Sequence, residues 1–214
     1  MARYFVTGTD TGVGKTHVTA TLAQRGRQMG RRVFAWKPIE TGCEETIRGR
    51  QGADQEAISS DWQQGELRGV YRLLRPLAPL MAAEAEGESI DLQRIEQVFQ
   101  AGSKDSALVL VEGAGGWRVP ITSQVDMSGL SALLRLPVLI VARGTLGTIN
   151  HTLLTIEAVR RDGQSVAAVV MSCRPGEDPA FVEQNAHAIA DRSGVPVLRL
   201  WTDERILDPL LDRP

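Results

Sequence analysis

The sequence predicts an α/β fold, a doubly wound and mostly parallel sheet of about six or seven strands with helices on both faces. Short apolar runs alternate with segments of helical periodicity along the chain. Several of these runs contain no polar residue, which is typical of strands buried on both faces of a parallel sheet. The chain has 214 residues, of which 43% are hydrophobic, so we expect one core and a single domain over residues 1–214.

Strands and helices are predicted in one continuous series. The predicted strands lie near Tyr4 and over residues 31–36, 107–111, 137–142, 165–172 and 195–200. The predicted helices cover residues 14 to about 29, 55–60, 81–86, 91–100, about 150–161 and 179–193.

Each assignment has a local reason. Gly30 ends the first helix, and residues 91–100 carry apolar side chains at helical spacing. The runs ALVLV at 107–111 and PVLIVA at 137–142 are unbroken and apolar. Residues 43–52 are polar and predict a mobile loop, whereas residues 68–74 fit no single pattern.

Charge and composition exclude several classes of protein. A net charge of −2 and scattered basic residues argue against a nucleic-acid partner. No apolar run approaches the about 20 residues that span a bilayer, and no leader precedes the first strand, so we expect a cytoplasmic protein without a membrane segment. Cys43 and Cys173 are expected to be free thiols, and the three separated histidines predict no structural metal site.

The turn after the first strand carries the strongest motif, YFVTGTDTGVGKTH at residues 4–17. P-loop proteins hold a nucleoside triphosphate with this series of elements: a strand, a glycine-rich turn, and a Lys-Thr pair at the start of a helix. The loop is a variant, because Thr9 stands where the usual pattern has glycine. The alternative is a glycine-rich turn with an incidental lysine. The predicted nucleotide-binding residues are Gly12, Val13, Gly14, Lys15, Thr16 and His17.

The variant loop also bears on the class of P-loop protein. Partition and division-site ATPases carry an extra lysine five residues before the P-loop lysine, and this chain has Asp10 there. The absence of that lysine argues against a simple ATPase switch.

Three further charged residues follow predicted strands or begin a helix. Lys37 follows the second strand, Asp54 precedes the helix at 55–60, and Glu112 follows the strand at 107–111. Ligands of open parallel sheets bind beyond the carboxyl ends of the strands, so these side chains are expected to share one crevice. The alternatives are a surface lysine, a helix cap and a solvated glutamate.

Together these residues are the parts that phosphoryl transfer requires. The Thr16 hydroxyl and the Glu112 carboxylate stand where P-loop proteins hold Mg²⁺, and Asp54 supplies a second carboxylate. Lys15 and Lys37 are the predicted catalytic residues. A second lysine near the γ-phosphate suggests an anionic acceptor that must approach ATP despite charge repulsion.

The set of motifs resembles the dethiobiotin synthetase family of biotin biosynthesis. The matching segments, in the family's order, are VTGTDTGVGKT at 6–16, KPIETG at 37–42, Asp54, VEGAGG at 111–116 and LGTINH at 146–151. The resemblance implies ATP-dependent addition of CO₂ to 7,8-diaminopelargonate, followed by closure of a ureido ring. It also implies substrate contacts from Thr11, Lys37 and Thr41, and Mg²⁺ ligands from Thr16, Asp54 and Glu112. Gly113, Ala114 and Gly115 of the matching segment are then expected beside the nucleotide.

The resemblance further implies a homodimer in which the partner chain completes each active site. The turn formed by Gly147, Thr148, Ile149 and Asn150 would then receive the substrate carboxylate at a helix N-terminus. An ordinary helix cap is the alternative explanation of this turn.

The sequence departs from the family pattern near the expected nucleotide base. Ser172, followed by Cys173, stands where many members have asparagine, and Leu200 replaces a frequent proline, leaving Trp201 and Thr202 as neighbours of the base. A hydroxyl does not offer the paired donor and acceptor of an amide, so relaxed base selectivity is predicted. Trp201 serving only the core is the alternative.

Two other functions are compatible with these motifs. One is a P-loop regulatory ATPase that binds a protein partner. The other is a related ATP-dependent ligase that acts on another amine or carboxylate, since fold and P-loop alone do not fix the substrate.

Overall fold

Ten strands and eight α-helices alternate along residues 1–59 and 62–212, the part of the chain that the computed structural model describes. The strands are β1 Ala2–Gly8, β2 Val33–Trp36, β3 Ile39–Thr41, β4 Glu44–Thr46, β5 Gly49–Gln51, β6 Tyr71–Leu73, β7 Leu108–Gly116, β8 Val138–Arg143, β9 Val166–Ser172 and β10 Val197–Leu200. The helices are α1 Lys15–Gln28, α2 Ala53–Ser59, α3 Pro79–Glu86, α4 Leu92–Ser103, α5 Met127–Leu134, α6 Thr148–Arg161, α7 Pro179–Ser193 and α8 Asp208–Leu211.

Within these residues six strands form the central sheet, in the order β10-β9-β8-β1-β7-β2, with every neighbouring pair parallel. The predicted doubly wound parallel sheet is confirmed. The connection after β1 leads to β2 on one side of the sheet, whereas β8, β9 and β10 extend the other side. A crevice forms beyond the carboxyl ends of the strands where the strand order reverses in this way. The loop after β1 therefore lies at the centre of that edge.

Two layers of helices cover the two faces of the sheet. On one face α1, α2 and α8 contribute buried apolar side chains such as Leu22, Ile58 and Leu210. On the other face α3 to α7 do the same, with Ile95 and Ile156 completely buried. Burying these side chains contributes about 1.5–3 kcal/mol each, which holds the strand ends in fixed positions relative to one another.

Several elements differ from the sequence prediction. Residues 43–52, predicted as a mobile loop, contain the antiparallel hairpin β4–β5. Strand β7 continues past Val111 through Gly116, because glycines allow the extended chain to run beside β1 with a local register shift. Helix α5 was not predicted. Asp54 lies inside the first turn of α2 rather than ahead of the helix, and residue 60, the predicted helix end, lies outside the described residues.

No helix within residues 1–59 and 62–212 is long and apolar enough to cross a membrane. Cys43 and Cys173 are both buried, free thiols, as the sequence predicts.

Candidate active site

The glycine-rich loop joins the central strand β1 to α1 as the sequence predicts. Gly14 precedes α1 with φ of 100°, a left-handed conformation that favours glycine. Lys15 is 7% exposed, and its Nζ donates to the backbone carbonyl of Asp10 at 3.1 Å. The Asp10 carboxylate in turn pairs with Arg143 at the tip of β8, at 2.8 Å. The loop thus closes on itself through Lys15 and is tied to the neighbouring strand.

Lys37, Asp54, Glu112 and Thr16 form one polar cluster at the strand ends. Lys37 Nζ donates to Glu112 Oε1 at 3.0 Å and to Asp54 Oδ2. The Thr16 hydroxyl donates to the same Glu112 oxygen at 2.9 Å. Glu112 is completely buried and Lys37 is 6% exposed. Residues that are far apart in the sequence therefore meet at one point, where β2, β7, α1 and α2 converge.

The cluster shifts the pKa values of its members in opposite directions. Burial lowers the pKa of Lys15, and repulsion from Lys37 adds to this effect, although Glu112 opposes it. Burial acts to lower the pKa of Lys37 as well, but the carboxylates of Glu112 and Asp54 outweigh it and raise that pKa. For Asp54, burial acts to raise the pKa, but the charge of Lys37 and its hydrogen bond to Asp54 lower it. Lys37 and Asp54 are thereby held as an ion pair.

The cluster suits a magnesium ion that is bound together with nucleotide phosphates. Mg²⁺ typically takes one or two carboxylates and completes its shell with phosphate oxygens and water. The second oxygen of Glu112, Oε2, is buried and has no hydrogen-bond partner among the described residues. The described residues contain no group of three or more His, Cys, Asp or Glu side chains that could hold a metal without other ligands. Thr16, Asp54 and Glu112 therefore fit a cation that arrives with a nucleotide.

A cavity of about 770 Å³ opens over this cluster. Lys15 and Lys37, the two predicted catalytic residues, both line this cavity. One side of the cavity is polar, and the other is formed by apolar residues of the segment before α3. Its lining consists of Thr11, Gly12, Gly14, Lys15, Thr16, Lys37, Thr41, Asp54, Pro76, Leu77, Ala78, Pro79, Ala114, Gly115 and Val119.

Other predicted nucleotide contacts lie around the loop but do not line this cavity. Val13 and Gly113 are buried beside it, and His17 is exposed on α1. Ser172 is 6% exposed and packs against the loop, since a Cβ built on Gly14 would lie 2.3 Å from the Ser172 hydroxyl oxygen. Cys173 is buried next to it.

The predicted base neighbours after β10 occupy different environments. Leu200 is completely buried in the core. Trp201 is half-buried and lines a separate cavity of about 510 Å³ together with Arg199 and Arg205, and Thr202 is exposed. This separate cavity lies beside the edge strand of the sheet.

The turn at residues 147–150 does not line the main cavity. Gly147 precedes α6 with φ of 92°, and Asn150 is exposed in the first turn. Leu146 is 88% exposed just before this turn, and Leu154 is 55% exposed one helical turn further on. The start of α6 thus presents apolar side chains to the surroundings.

The sequence prediction missed several residues at the site. The wall formed by residues 76–79 received no role from the sequence, although two prolines in four residues were a signal of a rigid segment. Arg174, which donates to the Gly12 carbonyl at 2.7 Å, gave no signal in the sequence. Glu40 lay within the KPIETG motif but received no role. These contacts depend on tertiary packing.

Sequence comparison places this chain close to one group of enzymes. A family model described as an AAA domain matches residues 2–199. The chain is 40% identical over 192 residues to an ATP-dependent dethiobiotin synthetase of Anaeromyxobacter dehalogenans strain 2CP-C, covering 89% of this chain and 85% of that protein. It is 39% identical over 207 residues to the ATP-dependent dethiobiotin synthetase of Pseudomonas aeruginosa strain UCBPP-PA14, covering 92% and 88%.

Structural comparison supports the fold. The crystal structure of a ParA family ATPase from Chlorobium tepidum TLS superimposes with a TM-score of 0.54 and 12% sequence identity, over 99% of this chain and 90% of that one. At this identity the likeness concerns the fold alone.

Gly14 and Gly12 offer a matched test of the loop. Both have positive φ, but a Cβ would contact Ser172 only at position 14 and would meet nothing within 4 Å at position 12. Gly12→Ala should lower the free energy of unfolding by about 1–2 kcal/mol through backbone strain. Gly14→Ala should lower it by about 1–3 kcal/mol more, because the contact adds overpacking.

Urea unfolding measures both losses. In the double variant Gly14→Ala/Ser172→Gly the overpacking is removed. The additional loss of unfolding free energy should then disappear, and only the loss due to backbone strain should remain. Equal losses in the two single variants, or no recovery in the double variant, would contradict the packing of Ser172 against Gly14.

Proposed function

The chain belongs to the ATP-dependent dethiobiotin synthetase family, and we propose that its crevice joins CO₂ to 7,8-diaminopelargonate and closes the ureido ring of dethiobiotin. As a member of this family it is an ATP-dependent enzyme of biotin biosynthesis. The observation that carries the proposal is the convergence of Lys15 and Lys37 on one cavity beside Thr16, Asp54 and Glu112. We place the reaction in the cytoplasm, which supplies ATP.

The proposed reaction has three steps. One amine of diaminopelargonate attacks CO₂ and loses a proton, which gives a carbamate. A carbamate oxygen then attacks the γ-phosphorus of ATP, so that the new P–O bond replaces the bond to ADP. The second amine attacks the carbamate carbon, a C–N bond forms, phosphate leaves, and the amine proton is released. Dethiobiotin, ADP and phosphate are the products.

The residues of the cluster have distinct proposed roles. Lys37 pairs with the carbamate and with the phosphoryl oxygens as they are transferred, and Lys15 pairs with the outer phosphates. Thr16, Asp54 and Glu112 hold Mg²⁺, which offsets negative charge on the phosphates when it is bound. Because Lys37 is already in contact with two carboxylates, it is fixed before the substrate arrives, which reduces the entropy cost of binding the carbamate.

The walls of the cavity match the two halves of the substrate. The polar wall, with Thr11, Lys37 and Thr41, suits the diamine and the carbamate. The apolar wall at residues 76–79, with Val119, suits the methylene chain. The cavity contains no residue from 147–150, so we propose that this turn binds the carboxylate end of a substrate held in the other subunit of a homodimer. The exposed Leu146 and Leu154 support an interface at this turn.

A coupled assay of ADP release tests the function. ADP release should require both diaminopelargonate and bicarbonate, and mass spectrometry should detect the ureido product in equal amount. Lys37→Ala leaves the buried Glu112 carboxylate without its cation, so it should lower the free energy of unfolding by about 3–5 kcal/mol. The folded variant should still bind ATP, and its turnover should fall by about 10²–10³-fold or more, since one fixed charge on the transferred group is lost.

Lys104→Ala is the matched control, because Lys104 is exposed at the end of α4. It should behave as the wild type. Hydrolysis of ATP that is independent of diaminopelargonate would favour a regulatory ATPase, and near-normal turnover of Lys37→Ala would refute the role of Lys37.

The base selectivity is a second prediction. Ser172 offers one hydroxyl in place of an amide, so CTP and GTP should support turnover at rates comparable to ATP. Competition of CTP and GTP against ATP in the ADP-release assay measures this selectivity. A strong preference for ATP would contradict the prediction.

Mixed dimers test the contribution of the partner chain. Asn150→Glu adds a negative charge at the N-terminus of α6, which favours the helix but repels a carboxylate, so it should raise the KM for diaminopelargonate. When this variant is mixed with Lys37→Ala, each mixed dimer has one intact site out of two. With random pairing, the whole mixture then has about a quarter of the wild-type number of sites. Recovery of low-KM turnover on mixing is expected. Its absence, with mixed dimers verified, would place the whole site in one chain.

A further inference from the structure

Glu40 is a buried carboxylate to which the proposed reaction gives no role. It lies in β3, three residues after Lys37, and is 5% exposed. Its two oxygens accept hydrogen bonds from the backbone N–H groups of Asp54 and Gln55, each at 2.8 Å. Hydrogen bonds from N–H groups to a carboxylate are stronger than those to neutral acceptors. Glu40 therefore holds two successive residues of α2 by their backbone.

The position of these N–H groups explains what Glu40 contributes. The first N–H groups of a helix have no partner within the helix, and a nearby side chain usually accepts from them. Here the acceptor comes from a separate strand, so the start of α2 is fixed relative to β3. Asp54 is the second residue of α2. Fixing its backbone also fixes the origin of its side chain, which contacts Lys37.

The surroundings of Glu40 are shaped to admit this contact. A Cβ on Gly52 would lie 2.2 Å from Glu40 Oε2, so a side chain there would displace the Glu40 carboxylate from its present position. The Gln55 side chain donates to the backbone carbonyl of Lys37 at 3.0 Å. Lys37, Glu40 and the first turn of α2 are thereby joined through both backbone and side-chain contacts. This arrangement links the end of β2 to the residue that faces Lys37.

We propose that Glu40 is a positioning residue that holds the first turn of α2 so that Asp54 faces Lys37, Thr16 and the divalent cation of the bound nucleotide. The inference rests on the proposed function, because that function assigns Asp54 to the cation. Residues that orient a metal ligand from the second layer typically change metal affinity by about 10–100-fold when they are replaced. Glu40 orients Asp54 through its backbone and is expected to have an effect of that size.

Glu40→Gln tests the role with little change of shape. Its amide offers one acceptor oxygen, whereas its NH₂ group faces the second backbone N–H, so one hydrogen bond is lost. The affinity for Mn²⁺ in the presence of ADP, measured by electron paramagnetic resonance, should fall by about 10–100-fold. The affinity for ADP in EDTA should stay at the wild-type value. Turnover should recover at high Mg²⁺, since the cation site is weakened and not removed.

Asp91→Asn is the matched control. The Asp91 carboxylate accepts from the backbone N–H groups of Gln93 and Arg94, at 2.8 and 3.3 Å, at the start of α4. It has the same capping chemistry but lies outside the candidate site. Its affinity for Mn²⁺ should equal that of the wild type. A variant of Glu40 that only loses thermal stability, with unchanged Mn²⁺ affinity and no dependence of turnover on added Mg²⁺, would overturn the positioning role.

Asp54→Asn separates this inference from the proposed function. If Asp54→Asn weakens Mn²⁺ binding and Glu40→Gln does not, the positioning role is wrong and the assignment of Asp54 stands. If Asp54→Asn also leaves Mn²⁺ binding unchanged, both the assignment of Asp54 and the positioning role fail. The reaction itself is then still judged by the ureido product of the wild-type enzyme.

Discussion

The ion pairs of Lys37 with Glu112 and Asp54 are the constraint on which the rest of the site depends. Glu112 is completely buried, and removing a carboxylate from water without compensation is very costly. Lys37 and the Thr16 hydroxyl supply that compensation, and each comes from a different part of the chain. The pairs form only when β2, β7, α1 and α2 all take their observed positions. The burial of one glutamate thus couples the assembly of the sheet edge to the assembly of the site.

The parts of the fold that could be predicted are those that local sequence determines. The apolar runs of β7 and β8 and the glycine-lysine turn before α1 have strong patterns, and the rule for open parallel sheets then places Lys37 and Glu112 at one edge. The hairpin β4–β5 is polar and short, so its pattern is that of a loop. Helix α5 begins after an Asp126 cap, but Ser128, Gly129 and Ser131 weaken the helical pattern that follows the cap.

The parts of the site that could not be predicted depend on distant contacts. The apolar wall at residues 76–79 faces the cavity because α3 packs beside β3 and β6. This packing could not be predicted from the local sequence. The role of Glu40 could not be predicted either, because the residues next to it in the sequence do not indicate which helix it contacts. From the sequence alone, a carboxylate in a short motif is interpreted as a solvated or a catalytic group. In this chain those partners are backbone N–H groups.

The contact between Gly14 and Ser172 limits how this chain can change over generations. The hydroxyl of Ser172 already fills the volume that any side chain at position 14 would require. A side chain at position 14 therefore becomes possible only if residue 172 is made smaller or β9 moves away from the loop. The two positions are not free to drift independently, because the volume now filled by Ser172 must be vacated before position 14 can change.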